Sequence, residues 1–189
     1  MTQRKLGVLL FILLNIFSSS AYSLDIWKKY SKLKTLTADF SQTKELKSIG
    51  VKLKSKGSMN FNRPDYFEWQ VNEPKNFVFI FKKDIITLLE DGKVLRTADS
   101  ANFDKKMLDA ISHLKAWLMI DQKFIGEHYE INKLSNDRYE FAPKGQTKMF
   151  KNITIDLGTT YPIKKIILQE FSGDTIEIEF SKTKLTYED

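Results

Sequence analysis

Residues 51–69 read Val-Lys-Leu-Lys-Ser-Lys-Gly-Ser-Met-Asn-Phe-Asn-Arg-Pro-Asp-Tyr-Phe-Glu-Trp, and their period decides the fold class. Val51, Leu53, Met59 and Phe61 share one parity; Lys52, Lys54, Lys56, Ser58 and Asn60 share the other. Strand side chains alternate between two faces, so this is a strand with one apolar and one wet side. Arg63-Pro64-Asp65 supplies turn chemistry, and Phe67, Trp69 and Val71 resume the alternation beyond it.

The same period extends outward. Leu36, Ala38 and Phe40 alternate with Thr37, Asp39 and Ser41 upstream. Residues 76–81 are apolar on both parities, which predicts a strand covered on both sides. Ile85 to Leu89 and Val94 to Ala98 flank Asp91-Gly92, a strong hairpin signal. Further strands are predicted near 127–134, 138–142, 148–157, 161–171 and 174–185, with turns at Asn136-Asp137 and Ser172-Gly173-Asp174. Two segments change to the helical period. Leu24, Trp27, Tyr30 and Leu33 recur every three residues, and Met107, Ile111, Leu114 and Leu118 form a stripe across 104–120. Ala110 and Trp117 widen that stripe, with Lys105, Lys106, Ser112 and Lys115 opposite. About ten sequential antiparallel strands and two helices predict a mainly β (α+β) chain, its strongly curved sheet forming a half-open barrel with the helices on one side.

Composition narrows the function. The 189 residues contain no cysteine and only two histidines, which excludes thiol chemistry and argues against a histidine-rich metal site. Arg4 and Lys5 precede the apolar run Leu6 to Leu14, and small residues follow up to Ala21-Tyr22-Ser23. That is the pattern of a cleavable secretory signal, and the run is too short for an ordinary membrane span. Residues 24–189 are then expected as a single exported domain. Without Arg4 and Lys5 its formal charge falls from +6 to +4.

Catalytic motifs are sparse. Ser41–Lys44 and Ser181–Lys184 both match S-x-x-K, but both fall in predicted strands, where positions i and i+3 point to opposite faces. Asp109 and His113 lie four apart on the central helix; two ligands do not make a metal site, and a solvated helix face is expected. His128 reads as a strand-surface residue. Lys52, Lys54 and Lys56 have the period of a wet strand face rather than of a nucleic-acid site. The aromatic content is more informative, at 13% of residues with 14 Phe. Phe40, Phe61, Phe67, Trp69, Phe77, Phe79, Phe81 and Trp117 fall on predicted inner faces, as a filled core or as the lining of a pocket for an apolar ligand.

Leu36-Thr-Ala-Asp-Phe-Ser-Gln-Thr43, Gly57-Ser-Met-Asn-Phe-Asn-Arg-Pro-Asp-Tyr-Phe-Glu-Trp69 and Glu73-Pro74 together resemble the periplasmic outer-membrane lipoprotein carrier family, LolA. Pro143-Lys144 and Gly173 to Phe180 resemble its downstream strands less specifically. Thr87-Leu-Leu-Glu-Asp91 departs from the family's Tyr-Asp/Asn-Pro element, and the sequence ends at Asp189 without the C-terminal extension of some members.

The resemblance implies a half-barrel capped by short helices over a hydrophobic cavity for lipoprotein acyl chains. It implies Arg63 as the residue that bonds to the lid and governs closure and transfer. Phe40, Met59, Phe61, Trp69, Phe79, Met107, Ile111, Leu114, Trp117 and Leu118 are the expected cavity residues, and Phe67 the expected partner contact at its rim. The expected partners are lipoproteins, an inner-membrane lipoprotein-releasing ABC transporter and an outer-membrane acceptor, with transient membrane contact. No nucleic acid, cofactor, metal or catalysis is expected, and the protein is expected to be a periplasmic monomer. Two other readings are a carrier of another envelope lipid and a lipoprotein-sensing regulator of envelope stress.

Overall fold

The computed structural model describes residues 30, 32–99, 105–145, 150–159 and 163–188. Eleven strands form one sheet: β1 (Leu33–Leu46), β2 (Val51–Asn62), β3 (Tyr66–Glu73), β4 (Phe77–Lys82), β5 (Ile85–Glu90), β6 (Lys93–Asp99), β7 (Tyr129–Lys133), β8 (Arg138–Pro143), β9 (Phe150–Asp156), β10 (Lys165–Glu170) and β11 (Thr175–Tyr187). Two helices lie between β6 and β7: α1 (Lys105–Met119) and α2 (Gln122–His128). The strand order is β6-β5-β4-β3-β2-β1-β11-β10-β9-β8-β7. Two meanders therefore meet where β1 pairs antiparallel with β11, and β6 and β7 are the two outer strands. Because α1 and α2 connect those strands, the chain carries its helices from one edge of the sheet to the other.

Register shows which side they cover. Leu36 pairs with Phe61, Phe61 with Phe67, Phe67 with Phe81, and Phe81 with Ile86. One row higher, Ala38, Met59, Trp69 and Phe79 are cross-strand neighbours. In the other half, Ile178, Ile166, Ile155 and Tyr139 form a matching row. Directly opposed side chains lie on one face, so the buried rows make a single apolar face running through both meanders. Trp117, Leu118, Ile120 and Ile125 join that core from the helical segment.

Several expectations need correction. Residues 24–29 and 31 of the expected first helix lie outside the described residues, whereas Leu33 already pairs with Tyr187 in β1. Residues 122–128 are helical, so the strand expected from 127 begins at Tyr129. Asp121 caps α2 by accepting from the Phe124 N–H (3.0 Å). In β4 only Phe79 is buried; its neighbours on both faces stay half-exposed, because this meander has no second layer outside it. Val51 and Leu53 share the parity of Met59 and Phe61 yet are exposed. Here β2 outruns β3, whose Glu73 pairs with Lys56 and leaves 51–55 bonded to β1 alone.

A bulge also overturns one argument about S-x-x-K. Asp39 faces Ser181 but Thr37 faces Lys184, because β11 inserts an extra residue there with Lys182 at φ 50°. Ser181 and Lys184 thus share the convex face. Both are exposed to water.

Candidate functional site

The site is built where α1 ends against the β2–β3 turn. Ile120 N–H donates to the Trp117 carbonyl (3.1 Å) and Asp121 N–H to that of Ala116 (2.8 Å). With Ile120 at φ 55°, this is a Schellman ending. A β-branched residue in that region costs about 1–2 kcal/mol, held here by the buried Ile120 side chain. Those two bonds leave the Met119 carbonyl for another donor. Arg63 supplies it: Nη2 donates to Met119 O at 3.1 Å. The turn that carries Arg63 is fixed in turn by its own N–H, which donates to the Lys34 carbonyl (2.9 Å). A guanidinium at the negative end of a helix is favourable both as a hydrogen bond and as a charge. Arg63 Nε and Trp117 Nε1, both buried, meet no acceptor among the described residues.

Three further contacts hold α1 on the sheet. The Lys115 ammonium lies 4.3 Å from the centre of the Phe81 ring. Trp117 packs against Tyr129, with ring centres 5.6 Å apart. His113 Nδ1 and Tyr129 Oη are 2.5 Å apart, and Phe124 and His128 pack edge-on to the His113 ring. His113 is therefore buried rather than on a solvated face, enclosed by Tyr129 of β7 and by Phe124 and His128 of α2. His128 ends α2, stacks on Phe124 at 4.0 Å and donates through Nδ1 to its carbonyl. The Asp121 cap and the Phe124–His128 spacing of four are signals in the sequence that point to this second helix.

Most of the expected cavity residues gather here. Phe40, Met59, Phe61 and Phe79 are buried on the concave face, Trp117 and Leu118 meet them from α1, and Trp69, Ile111 and Leu114 are half-buried beside them. Met107 lies in α1, but its side chain is outside the described residues. Phe67 departs from its expected place at the rim. It is 1% exposed in the same row as Phe61 and Phe81, so a partner does not reach it in this arrangement. Trp69, half-buried on the same face, is stacked on Phe40 with centres 3.9 Å apart and planes 22° apart. Two clefts of about 600 and 570 Å³ are lined by residues of both faces, with Phe40, Ile163 and Phe180 of the apolar core beside Asp39, Ser41, Lys56, Glu73 and Ser181.

Burial holds the Lys115 ammonium below the usual lysine range, opposed in part by Asp65, Asp121 and Asp84. The folded chain therefore disfavours charging Lys115, and its stability rises with pH through the folded value and levels off near 10.5. Lys165 acts in a different window. Hydrogen bonding to Glu177 and Glu179 raises it, so its contribution is lost only above 10.5. Lys115→Met is expected to flatten the rise in urea midpoint at alkaline pH below 10.5 and to match or exceed wild type at neutral pH. A slope unchanged by the substitution would assign the effect to another group.

A single open antiparallel sheet, its concave apolar face crossed by a latched helical segment, defines the class of lidded half-barrels. Within that class the chain belongs to the family described as outer membrane lipoprotein carrier protein LolA, whose family profile matches residues 31–188. It is 25% identical over 174 residues to the outer-membrane lipoprotein carrier protein of Proteus mirabilis (strain HI4320), covering 85% of this chain and 77% of the relative. Among solved structures it is similar to a LolA superfamily protein from Nitrosomonas europaea, with 8% identity, TM-score 0.43 and coverage of 88% and 94% of the two chains. It is also similar to the lipoprotein LppX of Mycobacterium tuberculosis, with 9% identity, TM-score 0.42 and coverage of 87% and 96%. Within the described residues no helix is long and apolar enough to cross a membrane.

Proposed function

We propose that the protein is a periplasmic carrier that shelters lipoprotein acyl chains on its concave face and passes them from an inner-membrane releasing ABC transporter to an outer-membrane acceptor. In this reading residues 1–23 are removed on export and residues 24–189 act as one monomeric domain without catalysis. The observation that carries it is the Arg63–Met119 bond, a charged hydrogen bond tying the end of α1 to the β2–β3 turn over the apolar rows of a LolA-family sheet.

The magnitudes favour a carrier. Each methylene removed from water contributes about 0.8 kcal/mol, so a 16-carbon chain represents about 12 kcal/mol. A hydrogen bond from a charged donor contributes only about 1.5–3 kcal/mol. Acyl chains can therefore displace the helix and spread among Phe40, Trp69, Ile111 and Trp117. What the closed state regains on release is small but present at every cycle.

Native mass spectrometry of the protein taken from its own periplasm tests the cargo. Triacylated lipoprotein bound one to one is the expected result, lost when Trp69→Asp places a carboxylate on the apolar face. Free lipid without lipoprotein would overturn the cargo assignment in favour of another envelope lipid.

A further inference from the structure

Apolar side chains on the concave face become more exposed from one end of the sheet to the other. Phe61 and Phe67 are fully buried beside Arg63, Val71 and Phe77 are half-buried, and Leu53 and Val51 are 53% and 40% exposed at the far end. Two turns close that end. The β1–β2 turn carries Ile49, 67% exposed, and the β10–β11 turn carries Phe171, 63% exposed. They are neighbours, because the Lys47 N–H donates to Asp174 Oδ1 (3.0 Å) and Lys44 pairs with Glu170 at 2.8 Å. Four large apolar side chains thus crown one end of a sheet whose other end is shut by the lid.

Cations lie on the other side of the same hairpin end. Residues 44–56, the tip of the β1–β2 hairpin, contain five lysines and one acid, Glu45, a formal charge of +4, while the β10–β11 turn beside it adds Glu170 and Asp174. Glu170 neutralises Lys44, while Glu45 and Glu73 stand 3.9 and 3.8 Å from Lys52 and Lys56, beyond hydrogen-bond distance. Lys47, Lys52, Lys54 and Lys56 all remain exposed. Along β2 the lysines point to the face opposite Val51 and Leu53, so this end presents apolar groups on one side and ammonium groups on the other. When it is set edge-on against an anionic bilayer, the apolar groups enter the headgroup layer and the ammonium groups meet phosphates. A lone patch of either kind would not select that surface.

We propose that the end of the sheet formed by the β1–β2 and β10–β11 turns rests on an anionic lipid surface and sets the open end of the concave face against the bilayer. This rests on the carrier reading for its purpose, since the end by which an acyl chain would enter the concave face would then face the lipid. The contact itself does not need cargo.

Co-flotation of the full mature protein with vesicles tests it. Binding is expected to vesicles of phosphatidylethanolamine and phosphatidylglycerol and not to phosphatidylcholine alone, and is expected to weaken as salt is raised. Lys52→Gln with Lys54→Gln is expected to reduce binding about tenfold, from roughly a fivefold effect per lysine partly offset by Glu45. Ile49→Ser with Leu53→Ser is expected to abolish flotation without altering the circular dichroism spectrum. Ile85→Ser with Val94→Ser removes comparably exposed apolar groups elsewhere and is expected to leave binding unchanged. Failure of the wild type to float, full flotation of the Ile49/Leu53 variant, or an equal loss in the Ile85/Val94 control would each overturn the proposal. Native mass spectrometry reports cargo independently, so loss of the membrane contact and loss of the carrier reading give separate results.

Discussion

Gly57→Ala is expected to destabilise the fold by about 3 kcal/mol or more, at the upper end for overpacked cores. A Cβ at this position would lie 1.8 Å from the Gln70 carbonyl oxygen, 2.9 Å from its carbon and 2.7 Å from Phe40 Cζ. The first two atoms are backbone of the neighbouring strand and cannot swing away as a flexible side chain would. Gly57 pairs with Val71 at a register shift, and the missing side chain lets β3 come close there. It also leaves room for the Phe40 ring and, stacked on it, Trp69. Strain would therefore reach both the sheet and the aromatic pair. Urea denaturation should show a lower midpoint with little change in slope, and the near-ultraviolet signal of Trp69 should change in the native baseline. A loss below about 1 kcal/mol would mean that β2 and β3 separate easily, contrary to the close approach seen here.

Gly57 illustrates what the sequence states openly and what it keeps hidden. Alternation around it marks a strand, and Asp91-Gly92 marks a hairpin whose residues adopt φ 48° and 76° as a type I′ turn requires. These are local signals, and the inner parity of Phe40, Met59, Phe61, Trp69 and Phe79 follows from them. The close contact between Gly57 and β3 is not local, nor is the exposure of Val51 and Leu53. Their parity is that of the core, but a strand that outlasts its neighbour has no core to face.

Helix α1 hid more. Lys115 and His113 sit outside its apolar stripe, yet the first lies over Phe81 and the second is enclosed by α2 and Tyr129. A single-stripe reading assumes one covered side, and α1 has two. Seven residues of α2 are too few to display a period, so its cover could not be anticipated from hydrophobic spacing. Arg63 taken alone reads as a solvated turn residue. Only the resemblance singled it out, because its partner is a backbone carbonyl, which leaves no trace in residue types.

Arg63→Leu is expected to leave acyl-chain uptake intact and to slow onward transfer by more than tenfold. The leucine keeps an apolar stem beneath α1 but cannot donate to the Met119 carbonyl, which closes the helix end at 3.1 Å in the native chain. Losing a hydrogen bond from a charged donor, together with its attraction to the helix terminus, removes about 2 kcal/mol from the closed state alone. In the proposed cycle the loaded state, with α1 displaced, does not contain that bond and is unaffected. Cargo release regenerates the closed state, so release becomes less favourable by the same amount, roughly thirtyfold in the equilibrium. The variant should therefore accumulate loaded, and transfer of bound lipoprotein to acceptor membranes should fall while binding does not. Arg63→Lys separates charge from geometry: it keeps a cation near the helix end without the planar fork, and should transfer at an intermediate rate. Amide exchange adds a readout free of cargo, with faster opening of 105–119 expected in Arg63→Leu and native opening elsewhere in the sheet. If transfer stays at the native rate while those amides exchange faster, the bond holds the helix but does not drive release, and the energy for release must come from the acceptor.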